Sequence, residues 1–166
     1  AKYGDLIHAE SNLNGIALSN QECLRYVKLC DETVFRDSYF QSCRALRTIF
    51  FNGTIETVEY NMFTGCHSLD FSNLKFNILS IGEHAFNACY NLKKIEMPEC
   101  NTIGKGAFGM CDGLRKAVFP KCYSVSEYAF QACYALNQAV FADNCTFGTD
   151  AFSNCHSLYP YPSDNT

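Results

Sequence analysis

The sequence predicts a repeat protein whose copies of 22 or 23 residues stack around one continuous core. Two observations carry this prediction: a phenylalanine recurs at that spacing, and each one is followed three residues later by cysteine and three further on by leucine. The phenylalanines are Phe40, Phe63, Phe86, Phe108, Phe130 and Phe152. A degraded copy precedes them, with Leu18, Gln21 and Leu24 at the three positions. We therefore expect six to seven coils.

Each copy divides into three parts. The first is a short strand with alternating apolar residues, as in Ile95-Glu96-Met97. The second is a turn that ends at an apolar anchor such as Ile103, and the third is a helical turn or short helix. In that third part the alanine, phenylalanine and cysteine of Ala85–Cys89 share one face, which predicts that they point into the core together.

The flanks of the chain are expected to close the stack. Residues 1–17 are interpreted as an N-terminal cap or half-repeat, 18–158 as the repeats and 159–166 as a C-terminal tail, together one domain. Pro160 and Pro162 remove ladder donors, which suits a terminal edge that does not pair further. The third repeat carries two extra residues before its strand at Leu74, which predicts a bulge there.

The motif from Ile81 to Pro98, Ile-Gly-x-x-Ala-Phe-x-x-Cys-x-x-Leu-x-x-Ile-x-Met-Pro, resembles the BspA-type (Treponema-type) leucine-rich repeat. The resemblance covers about residues 13 to 158. It implies a right-handed α/β-type solenoid with short parallel strands on the concave face and short helices or helical turns opposite. It also implies a surface or secreted adhesion protein without catalytic residues, since the motif positions of this family are structural.

Composition narrows the function classes. Apolar residues make up 48% and charged residues 18% of the 166 residues, which is typical of a globular chain. The net charge of −4 argues against a nucleic-acid binder, and no apolar run is long enough to span a membrane. We expect no cofactor, because phosphate-binding, zinc-protease and serine-hydrolase motifs are all missing from the sequence.

The 11 cysteines are expected to be mostly free thiols. Members of one stacked column stand about 5 Å apart with parallel side chains, which is not disulfide geometry, and no Cys-x-x-Cys pair indicates a metal site. Cys100 and Cys122 occupy matching turn positions, so they are the best candidates for a disulfide, although free thiols are favoured. Cys30 and Cys145 lie in turns where they could be exposed.

Two smaller patterns concern single side chains. The histidines that follow column cysteines, His67 and His156, are expected on the surface, because adjacent residues on a helical turn point apart and cannot form a Cys-His dyad. Asn52 and Asn144 begin glycosylation sequons in predicted turns.

The distribution of charge is the main indication of a binding surface. The outward positions of the strands, and the residues leading into them, hold 8 of the 13 basic residues, opposed only by Asp70 and Glu96. Most of the other acidic residues lie in the turns. This predicts a basic concave face with exposed apolar residues among the charges. The predicted ligand-binding set is Arg25, Tyr26, Lys28, Arg47, Phe50, Lys75, Lys93, Lys94, Arg115, Lys116 and Val118.

Three functions are compatible with this sequence. The leading hypothesis is an extracellular or cell-surface recognition module that binds an acidic protein or an anionic glycan. Basic residues that only solvate an exposed sheet would leave the same pattern. The alternative is a structural subunit that stacks end to end into fibres, because a solenoid has two open ends. An intracellular scaffold is the weaker third hypothesis, favoured by unpaired cysteines.

Overall fold

The computed structural model describes residues 6–8, 18–29, 35–51, 53–71 and 77–161. Within them the chain forms eleven strands of two or three residues. The strands are β1 (Leu6–His8), β2 (Tyr26–Lys28), β3 (Thr48–Phe50), β4 (Thr57–Val58), β5 (Ser80–Ile81), β6 (Lys94–Glu96), β7 (Thr102–Ile103), β8 (Lys116–Val118), β9 (Ser124–Val125), β10 (Gln138–Val140) and β11 (Thr146–Phe147). The strand predicted around Leu74 and the bulge before it fall on residues 72–76, outside the described residues.

All described strand pairs are parallel, which confirms the predicted solenoid. The three-residue strands form two sheets, β1-β2-β3 and β6-β8-β10, and the two-residue strands form a third, β4-β5-β7-β9-β11. Each described pair joins equivalent strands of adjacent copies, as when Lys94 aligns with Lys116 and Lys116 aligns with Gln138. A side chain therefore stands beside the side chain one repeat away, about 4.8 Å along the axis.

The repeated phenylalanine forms the centre of the core. Ring centroids of successive copies lie between 5.0 and 5.5 Å apart with interplanar angles of 5° to 12°, so the rings form one continuous stack from Phe40 to Phe152. The cysteine and leucine columns and the inward strand residues, such as Ile95 and Met97, are buried around it. The core predicted from the repeat alignment is confirmed.

The predicted short helices are wrong, since the segments opposite the strands are turns and no helix occurs in the described part of the chain. Every second N–H from His84 to Ala88 donates to the following coil, as Phe86 does to the Ala107 carbonyl at 2.8 Å. The intervening N–H groups donate three residues back, as Asn87 does to the His84 carbonyl at 3.0 Å. An α-helix needs every N–H for bonds four residues back, so this division between turn and neighbouring coil excludes one.

The backbone angles show how the chain alternates between these bonds. In every coil the residues two before and two after the column phenylalanine have φ between 53° and 72°. These left-handed positions interrupt the helical path and turn alternate N–H groups along the axis. None of them is β-branched. They are Ser38, Ser42, Asn61, Gly65, His84, Ala88, Gly106, Met110, Tyr128, Ala132, Asp150 and Asn154.

Met110→Gly is expected to raise the free energy of unfolding by about 0.5–1 kcal/mol, because glycine relieves a left-handed conformation that costs an L-residue roughly 1–2 kcal/mol. Met110 has φ 57° and a side chain 45% exposed, so little packing is lost. Met110→Val is the matched control and should destabilise the protein. Urea denaturation measures both changes, and a glycine variant less stable than the parent would contradict the assigned backbone angle.

Candidate binding surface

The residue that precedes each of β2, β3, β6, β8 and β10 is exposed, and it is basic before all of them except β10. Backbone bonds align these residues: the Arg47 N–H donates to the Arg25 carbonyl at 2.8 Å, and the Arg115 N–H donates to the Lys93 carbonyl at 2.9 Å. Asp70 occupies the same position between them, with its N–H on the Arg47 carbonyl at 3.0 Å. We call these five residues the basic column. Their charges sum to +3 along one line parallel to the solenoid axis.

The strands beside the basic column expose the other predicted side chains. We call the exposed side chains of β2, β3, β6, β8 and β10 the strand face. Tyr26 and Lys28 of β2 are exposed, Phe50 of β3 is 52% exposed, and Val118 of β8 is half-buried. Val140 of β10 also reaches solvent. Apolar and basic side chains therefore lie together on the strand face.

One acidic side chain reduces the positive charge of the strand face. The Glu96 carboxylate lies 2.9 Å from Lys94 Nζ and 3.1 Å from Lys116 Nζ. Hydrogen bonds from these two ammonium groups lower the pKa of Glu96. Lys94 and Lys116 are thus partly neutralised within the chain. Arg47, Lys93 and Arg115 have no ion-pair partner among the residues the structure describes, so they are the cations best placed to meet a ligand.

A groove of about 1150 Å³ lies between the coils of β3 and β6. It brings together four residues of the predicted set, Tyr26, Arg47, Lys93 and Lys94, with the acidic Asp70 and Glu96 on its walls. The predicted Lys75 belongs to residues 72–76, which connect these coils and lie outside the described residues.

Two lysines on other faces are paired with acids. Lys105 contacts Glu127 at 2.5 Å, and this contact raises the pKa of Lys105. Lys121 contacts Glu99 at 2.6 Å. Lys28, Arg36 and Arg44 have no ion-pair partner among the described residues either, so the basic column is distinguished by its alignment and not by a concentration of unpaired cations.

The column cysteines are buried in the core. The thiol of each column cysteine donates to the carbonyl of the column residue one coil earlier, as Cys111 Sγ does to Phe86 O at 3.1 Å. Burial raises the pKa of Cys111 to about 12, so the thiol keeps its proton. In the turn column Cys100, Cys122 and also Cys145 are buried free thiols. The expected exposure of Cys145 is therefore wrong, while Cys30 lies outside the described residues.

Alkylation with iodoacetamide at about pH 8 is expected to modify Cys23 at least tenfold faster than any other described cysteine, because the reagent must reach the sulfur atom and the other described thiols are buried. Cys23 is the exposed cysteine among those described, and burial raises the pKa of Cys100 to about 12. Peptide mass spectrometry measures each site, with the urea-unfolded chain as control. Equal rates in the folded protein would contradict the buried thiol columns.

The remaining predicted features concern metal ligands, histidines and sequons. No group of three metal-ligating side chains occurs there. His67 and His156 lie on the surface but each contacts a tyrosine ring, which the sequence interpretation did not include. Asn144 is exposed, whereas Asn52 lies outside the described residues. The described residues include no helix that is long and apolar enough to cross a membrane.

Comparison with known proteins identifies the repeat. The model of the BspA type leucine rich repeat region matches residues 33–159 in six copies. No curated protein sequence matches the chain.

Three solved structures share the fold. A leucine rich cell surface protein from Faecalibacterium prausnitzii is 23% identical with a TM-score of 0.66, over 81% of this chain and 38% of that one. A leucine-rich repeat protein from Bacteroides ovatus is 20% identical with a TM-score of 0.54, over 80% of this chain and 42% of that one. The T. pallidum leucine rich repeat protein is 17% identical with a TM-score of 0.55, over 84% of this chain and 80% of that one. The chain thus spans less than half the length of the first two.

Proposed function

The chain belongs to the BspA-type leucine-rich repeat family, and from that premise we propose that it is a non-enzymatic recognition module that binds an acidic protein or an anionic glycan. The basic column and the strand face form the binding surface in this proposal. The family supports an interaction or adhesion role in general. A cell-surface or extracellular location is part of the proposal, in keeping with the cell surface protein that shares the fold.

The observation that carries the proposal is the alignment of unpaired cations. Arg47, Lys93 and Arg115 are exposed at the same repeat position, and the Arg115 N–H bond to the Lys93 carbonyl holds those two one coil apart, about 4.8 Å. Like charges held on a rigid scaffold repel each other, and a ligand with repeated negative charge relieves that repulsion. The net charge of −4 means that this attraction is local and not a property of the whole chain.

Binding of two acidic probes tests the proposal: polyglutamate and a heparin-derived oligosaccharide. Calorimetry at about 0.15 M salt should detect at least one of them, and about 0.5 M salt should weaken it strongly, because the screening length shrinks to a few Å. A neutral dextran is the control and should not bind. Failure of both acidic probes at the lower salt would refute the binding surface proposed here.

A second candidate function is self-assembly into a solenoid fibre. Successive coils are joined by the same backbone bonds, as when the Phe130 N–H donates to the Ala151 carbonyl at 2.7 Å. The end coils of two copies can form such bonds with each other in a head-to-tail contact. Light scattering over a hundredfold range of concentration separates the two functions, because a recognition module keeps its mass while a fibre subunit grows.

A further inference from the structure

Aromatic rings line a second surface column that the proposed function does not use. The position directly after each column cysteine is exposed or half-buried, and it holds Arg44 in one coil and aromatic or acidic residues in the next five. Because the fold accepts arginine or aspartate there, it does not require the rings. We call the residues of the last five coils the ring column. They are His67, Tyr90, Asp112, Tyr134 and His156.

The rings contact each other in two pairs, of which Tyr134 and His156 are stacked. The centroids of His67 and Tyr90 lie 4.6 Å apart at an interplanar angle of 35°, and those of Tyr134 and His156 lie 5.8 Å apart at 16°. Tyr90 is 40% and Tyr134 is 48% exposed. Asp112 belongs to the coil between the two tyrosines, is exposed, and has no ion-pair partner among the described residues. Asp112 therefore lies one coil from each tyrosine.

The ring column lies next to the basic column. Lys93 follows Tyr90 by three residues and extends over the neighbouring coil at Gly113. A Cβ atom at Gly113 would stand 2.5 Å from Lys93 Nζ and 2.4 Å from the Tyr90 carbonyl oxygen. The missing side chain of Gly113 thus leaves room for the ammonium group between the two columns. Rings, a carboxylate and a cation share one surface.

We propose that the ring column stacks the sugar rings of an acidic glycan while Lys93 and Arg115 bind its negative groups. This inference rests on the proposed function and selects the glycan over the acidic protein. The apolar C–H face of a pyranose ring packs on an aromatic face, and hydroxyl groups beside it bond to polar side chains. Tyr90 and Tyr134 are two coils apart, roughly 10 Å, the scale of two linked sugar rings.

The neighbours of the rings favour a glycan over a polypeptide. The centre of a protein interface is packed and apolar, with charge excluded from it. Here the residues between Tyr90 and Tyr134 include Asn91, Asp112 and Gly113, which are polar or lack a side chain. A sugar has both an apolar face and a rim of hydroxyl groups, so it matches isolated rings with polar residues between them.

Leucine variants of the two tyrosines test the inference. Tyr90→Leu combined with Tyr134→Leu keeps apolar bulk and removes the flat rings, while Tyr90→Phe with Tyr134→Phe is the matched control that keeps them. The leucine pair is expected to bind the heparin-derived oligosaccharide about 5-fold to 30-fold more weakly. Because stacking is not screened, the same loss is expected at about 0.5 M salt. The phenylalanine pair should stay within about twofold of the parent.

Polyglutamate distinguishes failure of this inference from failure of the proposed function. Polyglutamate affinity should be unchanged in the leucine pair, since only the basic column binds it. Equal losses for both probes, or an unchanged oligosaccharide affinity, would overturn the glycan assignment while leaving the basic column in place. If the parent binds neither probe at about 0.15 M salt, the proposed function itself fails.

Discussion

Replacing Phe108 with alanine is expected to lower the free energy of unfolding by about 3–5 kcal/mol. Phe108 is fully buried, and its ring stacks on Phe86 at 5.1 Å and on Phe130 at 5.0 Å. The backbone ladder on both sides holds the neighbouring coils in place, so the cavity cannot collapse and the loss falls in the upper part of the range for such changes. Urea denaturation followed by circular dichroism measures it.

Two controls define the origin of this loss. Phe108→Leu keeps most of the volume and should cost about 1.5 kcal/mol. Tyr123→Ala removes a ring that is 52% exposed and should change stability by about 0.5 kcal/mol or less. A Phe108→Ala loss no larger than that of Tyr123→Ala would contradict the continuous phenylalanine stack.

Reversing two charges of the basic column should abolish most binding of acidic ligands. Arg47→Glu combined with Arg115→Glu removes two attractions and adds two repulsions, so we expect polyglutamate and the heparin-derived oligosaccharide to bind roughly 30-fold to 100-fold more weakly at about 0.15 M salt. Both arginines are exposed, so the fold should be unaffected. Calorimetry measures the affinity.

The control variant has the same net charge as the double arginine variant, but its two substitutions lie on another face. Lys105→Glu with Lys121→Glu alters the same number of charges outside the basic column. This variant should bind both probes within a few-fold of the parent, since screening limits distant charges to about 10 Å. Equal weakening by the two variants would mean that net charge, and not the basic column, controls binding.

Lys94 and Lys116 are poor sites for charge-reversal tests. Charge reversal at Lys94 and Lys116 follows directly from the sequence, but both contact Glu96. The reversed variant would place three carboxylates together, so a loss of binding could come from local rearrangement of the sheet. The arginines avoid this because they have no described ionic partner.

Most of the fold could be predicted because the repeat spacing is visible in the sequence. The recurrence of phenylalanine, cysteine and leucine identifies the buried columns, and the spacing of 22 residues equals the strand register, as between Lys94 and Lys116. The helices were wrong because local spacing predicts which residues share a face but not where the N–H groups donate. Only the stack shows that Phe86 donates to Ala107 of the neighbouring coil.

The candidate surface was less accessible to sequence reasoning. The basic residues beside the strands were found because they share one repeat position. Pairing of Glu96 with Lys116 and the ring contact of Tyr90 with His67 depend on side chains from different coils. The position after each column cysteine can be identified from the repeat spacing, as at Tyr90 and Tyr134. Its residue type varies between copies, unlike the phenylalanine, cysteine and leucine of the core.

Mapping a bound probe by nuclear magnetic resonance tests the central claim most directly. Titration of the labelled protein with the heparin-derived oligosaccharide should shift the amide signals of Arg47, Lys93 and Arg115, with smaller shifts at Tyr90 and Tyr134. The amides of Lys105 and Lys121 should not move. Shifts concentrated at those two lysines, with the basic column unchanged, would contradict a recognition surface on the strand side of the solenoid.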